Sequence, residues 1–154
     1  MYTKENQKLI EKNKKIITRY YDEVWNQGNL DVLDDILDPE YINHNPGLPN
    51  PIPGPDGLKP IVAAMRTGLP DLRFEINDML LTPDKVAIRC TMHGTHTGEL
   101  FGIPSTGKKV CINQMQIEYI KNGKIIEHWR VSDDLMEQIG VSNCDDGVGQ
   151  NAFT

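Results

Sequence analysis

The chain is expected to form an α+β fold, a curved antiparallel sheet covered on one face by N-terminal helices. Three observations carry this. Apolar residues recur at helical spacing in the first part of the chain. A long meander with a period of two follows it. Near the end stands Asn122-Gly123, the strongest short hairpin signal. Helices first and strands after place the helices together on one side of the sheet, and the inner face of such a curved, cone-like sheet can hold a ligand.

Each element can be justified in order. From about Gln7 to Asn26, Leu9, Ile10, Ile16, Ile17, Tyr20, Tyr21 and Val24 make one apolar stripe, with lysines on the wet side. Gly28 is placed to cap this helix at its C-terminus. Asn29 can cap a short second helix, which Asp38-Pro39 is expected to end. Glu40 to Asn45 reads as a short strand. Five prolines between Pro46 and Pro55 then exclude sheet pairing and suggest a stiff flap at a pocket mouth. Asp56 can cap a third helix from Gly57 to about Thr67, with Pro60 in its first turn. Strands follow over 72–77, 85–95 and 110–120, and the last turns through Asn122-Gly123 into a strand carrying Glu127-His-Trp-Arg130. The loop from Gly98 to Gly107 is glycine-rich and bears an exposed Phe101. A short closing helix spans 134–139, and 141–154 reads as a mobile tail beyond a single domain of 1–140.

Bulk properties narrow the function classes. The 154 residues carry a formal net charge of −6, which gives no reason to expect nucleic acid or an anionic membrane surface as partner. No apolar run approaches the roughly 20 residues of a membrane span. The polar N-terminus lacks a signal-peptide core, consistent with a cytoplasmic protein. Cys90, Cys111 and Cys144 are odd in number and widely spaced, which suits reduced thiols. His93 and His96 fall on opposite faces of a strand, while His44 and His128 are isolated in sequence, so no metal site is expected.

The strand after Asn122-Gly123 concentrates the chemistry. Strict alternation separates Ile125, Trp129 and Val131 from Ile126, His128, Arg130 and Ser132. The second set, followed by Asp133-Asp134, reads either as the polar floor of an apolar pocket or as a solvated face.

Several segments resemble the SnoaL-like polyketide cyclase family of the NTF2-like (nuclear-transport-factor-2-like) superfamily. They are Tyr20-Tyr-Asp-Glu-Val-Trp-Asn-Gln-Gly-Asn-Leu-Asp31, Tyr41-Ile-Asn-His-Asn-Pro46, Gly54-Pro-Asp-Gly57, Leu69-Pro-Asp-Leu-Arg73, Gly94-Thr-His-Thr-Gly98, Gly102-Ile-Pro-Ser-Thr-Gly-Lys108 and Gly123-Lys-Ile-Ile-Glu-His-Trp129. The resemblance implies a cone-shaped α+β barrel, usually a homodimer, with a deep apolar pocket for a hydrophobic small molecule and no cofactor. It also implies ring closure by intramolecular aldol condensation, although other superfamily members are isomerases, hydrolases, dehydratases or binders. The cyclases are expected to carry their acid one residue after the strand tryptophan; here that position is Arg130, which cannot exchange protons near neutral pH but can stabilise an oxyanion.

Two strand registers remain open. His128 and Arg130 face inward, as the alternation of polar groups in related hydrolases favours, or Trp129 lines the pocket instead. His128 is the natural acid/base candidate, against a purely structural, hydrogen-bonded histidine. Asp133 either orients His128 or Arg130, or caps the closing helix. Asn43, His44 and Asn45 lie where superfamily enzymes often place a base or a water-positioning group; the plainer reading is a polar turn. Gln114 and Gln116 alternate on one strand face, in the pocket or in solvent. Cys90 and Met92 read as soft apolar groups of core or pocket. Against a cofactor-independent enzyme stands a non-catalytic carrier using the same pocket.

Overall fold

The computed structural model describes residues 1–47 and 51–140. Helix α1, Lys4–Arg19, begins where the Thr3 hydroxyl accepts the Asn6 amide. The expected single helix to Asn26 changes pitch at Tyr20: Tyr20–Asn26 is a π-helical segment. This wider winding, rare and frequent at functional sites, turns Tyr20, Tyr21, Val24 and Trp25 all inward. Arg66 ties off its end by donating to the Trp25 and Asn26 carbonyls. Gly28, at φ +76°, closes it as expected, its amide donating to Val24.

Helix α2, Val32–Ile36, is capped at Asp31 rather than Asn29. Strand β1, Leu37–Asn43, starts at once, so Asp38-Pro39 lies inside it instead of ending the helix. β1 is an edge strand, where the missing proline N–H breaks no central ladder. Helix α3, Pro55–Gly68, begins two residues earlier than the Asp56 cap implied, so Pro60 sits inside it. The turn before it needs Gly54: φ is +82°, and a Cβ there would lie 2.4 Å from the Pro39 carbonyl oxygen.

The sheet runs β1-β5-β4-β3-β2, with β2 Arg73–Leu81, β3 Lys85–Thr95, β4 Lys109–Lys121 and β5 Lys124–Ser132. Four strands form the expected antiparallel meander, and β1 adds parallel to β5. Asn122 and Gly123, at φ +52° and +73°, make the two-residue turn that matches strand twist. Helix α4, Leu135–Gln138, is capped by Asp134, which accepts from the Met136 and Glu137 amides.

The strict alternation expected along β5 fails at one point. Tyr119 pairs with Glu127 but Ile120 pairs with Ile125, so Ile126 is an extra, bulged residue. Ile125 therefore shares the inner face with His128 and not the outer face with Trp129. Between this face and the helices lies the core, where Ile17, Val24, Leu33, Val62, Ile88, Ile112 and Ile125 are buried. Burying each such side chain contributes about 1.5–3 kcal/mol. The segment 141–154, read as a tail, lies outside the described residues.

Candidate functional site

The concave side of the sheet and the helices enclose a cavity of about 480 Å³, within the common range for small-molecule sites. Trp25, Leu58, Ile61, Met65, Phe74, Met92 and Ile112 make its apolar wall. Phe101, at φ +46°, together with Pro46 and Gly47 of the proline-rich flap, also lines it.

The opposite wall is polar because β4 and β5 pair in register. Glu118 stands opposite His128, Gln116 opposite Arg130, and Gln114 opposite Ser132. Directly opposed residues share a face, so the inward register of His128 and Arg130 holds; both line the cavity. Trp129 is 44% exposed on the other side of the sheet.

His128 Nδ1 lies 2.5 Å from Glu118 Oε1, and both side chains are almost fully buried. Burial pushes the Glu118 carboxyl above its ordinary range, while the neighbouring His128 and Arg130 charges pull it back. Its second oxygen, Oε2, is buried with no hydrogen-bond partner among the described residues, as is the Tyr41 hydroxyl. Desolvation also raises the Tyr20, Tyr21 and Tyr41 phenols, and Glu118 adds to each shift. Beside this pair, the Tyr21 hydroxyl donates to Gln116 Oε1, and Gln116 Nε2 donates to Gln114 Oε1 at 2.5 Å. Both glutamines are buried. This relay fixes both amide planes along the cavity wall.

Arg130 Nη2 donates to the Asn45 carbonyl at 2.8 Å, and the Arg130 amide donates to Asn45 Oδ1 at 2.7 Å. Asn45 thus anchors Arg130 from the end of β1. Asn43 lines the cavity and accepts the Asn45 amide.

Other candidates lie elsewhere. His44 is on the outer side, stacked on Trp129 with ring centroids 3.8 Å apart and held 2.9 Å from Glu127. Asp133 lines the cavity rim and accepts the Asn113 amide; Asp134, its neighbour, is the helix cap. Met92 lines the cavity, whereas Cys90 is buried beneath it, its thiol pushed up to about 11 by desolvation. His93 stands 3.8 Å from Glu75, and His96 is buried against Thr106.

Glu118 was missed by the sequence reading. Its signal was present: it shares the parity of Gln114 and Gln116, which alternate with exposed Met115 and Ile117. The inward Tyr20 and Tyr21 of the π-helical segment were legible only as part of a helix stripe, which did not include Trp25.

The outer side of the same strands carries an apolar patch bordered by Arg89 and Asp78. Val131 opposes Met115, and Trp129, Ile117, Ala87 and Leu80 line up across four strands. Leu80 and Val131 are 68% and 69% exposed.

The sequence and the fold have counterparts among known proteins. A family model described as SnoaL-like polyketide cyclase matches residues 15–139. AcmA, an aklanonic acid methyl ester cyclase of Streptomyces galilaeus, is 28% identical over 121 residues, covering 77% of this chain and 84% of its own. Among solved structures, TsrD from Streptomyces laurentii superposes with a TM-score of 0.76 at 25% identity, over 86% of this chain and 97% of its own. IdmH, a candidate polyketide cyclase from Streptomyces antibioticus, gives 0.68 at 30% identity, over 83% and 98%. No helix among the described residues is long and apolar enough to cross a membrane. With the expected cone-like α+β architecture, the inward polar strip and a matching family model over most of its length, the chain belongs to the SnoaL-like polyketide cyclase family.

Proposed function

We propose that this protein is a cofactor-independent enzyme that moves a proton on an apolar, oxygenated small molecule, in the manner of an aldol cyclase. The single observation that carries the reading is the buried His128–Glu118 pair in the wall of an otherwise largely apolar cavity. With Glu118 ionised, Nδ1–H donates to the carboxylate and Nε2 presents a lone pair. With Glu118 protonated, the carboxyl donates to Nδ1 and Nε2 presents a hydrogen. The two states differ by one proton: as Nε2 takes a proton from the substrate, Nδ1–H shifts to Oε1, and the pocket-side nitrogen turns from base to acid; the reverse shift accompanies its return. As base, Nε2 removes a proton beside a carbonyl, leaving an enolate. The enolate carbon attacks a second carbonyl of the same molecule, and Nε2 returns the proton to the new alkoxide. Gln116 holds the oxygen on which charge develops, and Arg130 opposite it adds positive charge to that wall.

This assignment departs from a simple transfer of the cyclase pattern, because the position expected to hold the acid is Arg130. The acid/base group is instead built from the facing positions of β4 and β5. The apolar outer face favours a homodimer formed sheet to sheet. A carrier function would use the same apolar wall but gives no role to a carboxyl buried against a histidine.

The test is deuterium exchange into 2-tetralone, an apolar ketone with acidic α-hydrogens, followed by NMR. The parent protein is expected to accelerate exchange above buffer, with His128→Ala losing on the order of 10²–10⁴-fold. Exchange no faster than buffer with the parent would remove the enzymatic reading in favour of the carrier.

A further inference from the structure

Arg130 carries a permanent charge into the cavity, and its surroundings leave that charge without an ion-pair partner among the described residues. Its one side-chain hydrogen bond among the described residues goes to a neutral backbone carbonyl, that of Asn45. The remaining donors of the guanidinium fork are uncommitted among the described residues. Every other charged group lining the cavity or bonded there has its own engagement. Glu118 is held by His128 at 2.5 Å, and the Arg130 charge acts on it through space without forming an ion pair. Asp133 accepts the Asn113 amide and is exposed at the rim. Asp134 caps α4. Gln116, opposite Arg130, is neutral and already bonded to Tyr21 and Gln114.

A half-buried guanidinium on the polar wall of a largely apolar cavity is best completed by an anion entering that cavity. Its planar fork fits a carboxylate with two parallel hydrogen bonds. Asn45 holds the fork at both its backbone and Nη2, so little ordering remains when such a group arrives.

We propose that the substrate of this protein carries a free carboxylate that docks on Arg130, so that it is taken as the acid and not as an ester. The inference rests on the reading of the cavity as a substrate site and divides the labour of its polar strip. Arg130 holds the carboxylate, the second N–H of the Gln116 amide takes the reacting oxygen, and His128 moves the proton. The apolar wall of Trp25, Phe74 and Met92 receives the hydrocarbon body.

The test is fluorescence titration of the intact protein at neutral pH with 2-naphthoate and with methyl 2-naphthoate, which differ only in the charge on the carboxyl. The parent protein is expected to bind the acid roughly 10- to 100-fold more tightly than the ester, the range of a charge-assisted hydrogen bond. Arg130→Met is expected to abolish that preference, with a cooperative urea transition showing that it folds. Arg130→Lys is expected to keep part of the preference, because the charge remains but the fork does not. Acid binding no tighter than ester in the parent, or a preference undiminished in Arg130→Met, overturns the proposal. Because the readout is binding, it can fail while 2-tetralone exchange succeeds, and the reverse, so the two readings fall separately.

Discussion

Gln116 and Ile117 are neighbours in β4, yet one is 4% exposed and the other 42%. The pairing of polar-inside with apolar-outside is repeated along the strand: Gln114, Gln116 and Glu118 face the cavity, while Met115 and Ile117 face away. An ordinary sheet with one solvated face shows the opposite arrangement. The difference teaches that neither face is designed for the default role. Buried polar side chains are tolerated where they are bonded to one another and can meet a ligand. Exposed apolar ones persist where something covers them. Each face is thus matched by one of the occupants proposed above, a small molecule on the concave side and a second copy on the convex side.

The contrast can be broken most severely at Glu118. Glu118→Ala leaves His128 without its buried partner and is expected to cost about 3–5 kcal/mol in urea unfolding; a loss below 1 kcal/mol would show that the pair is dispensable to the fold. On the convex side, Ile117→Glu places a charge in the apolar row opposite Trp129. Self-association measured by sedimentation is expected to weaken by roughly 30-fold or more, the scale of an interface hot spot, with the fold retained. A parent that is monomeric at all concentrations would leave the convex patch without its proposed cover. The smallest effect is electrostatic. Burial raises the Glu118 carboxyl above its ordinary range, so between that ordinary value and the raised one the folded chain binds more protons than the unfolded chain. Stability contributed by this group therefore falls as pH rises through that window, the reverse of a salt-bridged surface carboxylate. Relative to Glu118→Gln, the parent is expected to lose about 1.4 kcal/mol per unit of separation between the two values, read from urea melts at successive pH values above about 4.3. A parent that gains stability over that range would contradict the assignment.

Much of this arrangement was legible in the sequence because strand parity is a rigid code. The Asn122-Gly123 turn fixed where β4 and β5 meet, but counted straight from that turn Gln116 would oppose Trp129, and only the extra residue at Ile126 brings Arg130 opposite it. What parity cannot reveal is a bulge: nothing in Ile125-Ile126-Glu127 signals that Ile126 is extra, and the bulge moved Ile125 to the inner face. Asp133 and Asp134 were equally matched as caps by residue type, and only backbone direction selected Asp134. His44 looked like a pocket residue because β1 enters the sheet at its edge, where which side faces inward depends on pairing with β5. Glu118 was overlooked because a carboxylate on an alternating strand ordinarily points to water, and its burial makes sense only with His128 opposite.

The most direct test uses the methionines as reporters of the two faces. Met65 and Met92 line the concave cavity, whereas Met115 stands 59% exposed on the convex side. With ¹³C-methyl methionine labelling, addition of 2-naphthoate is expected to shift the Met65 and Met92 signals and leave Met115 in place. Serial dilution of the protein is expected to shift Met115 and leave Met92 in place. Ligand-induced shifts centred on Met115, with Met92 silent, would contradict the account.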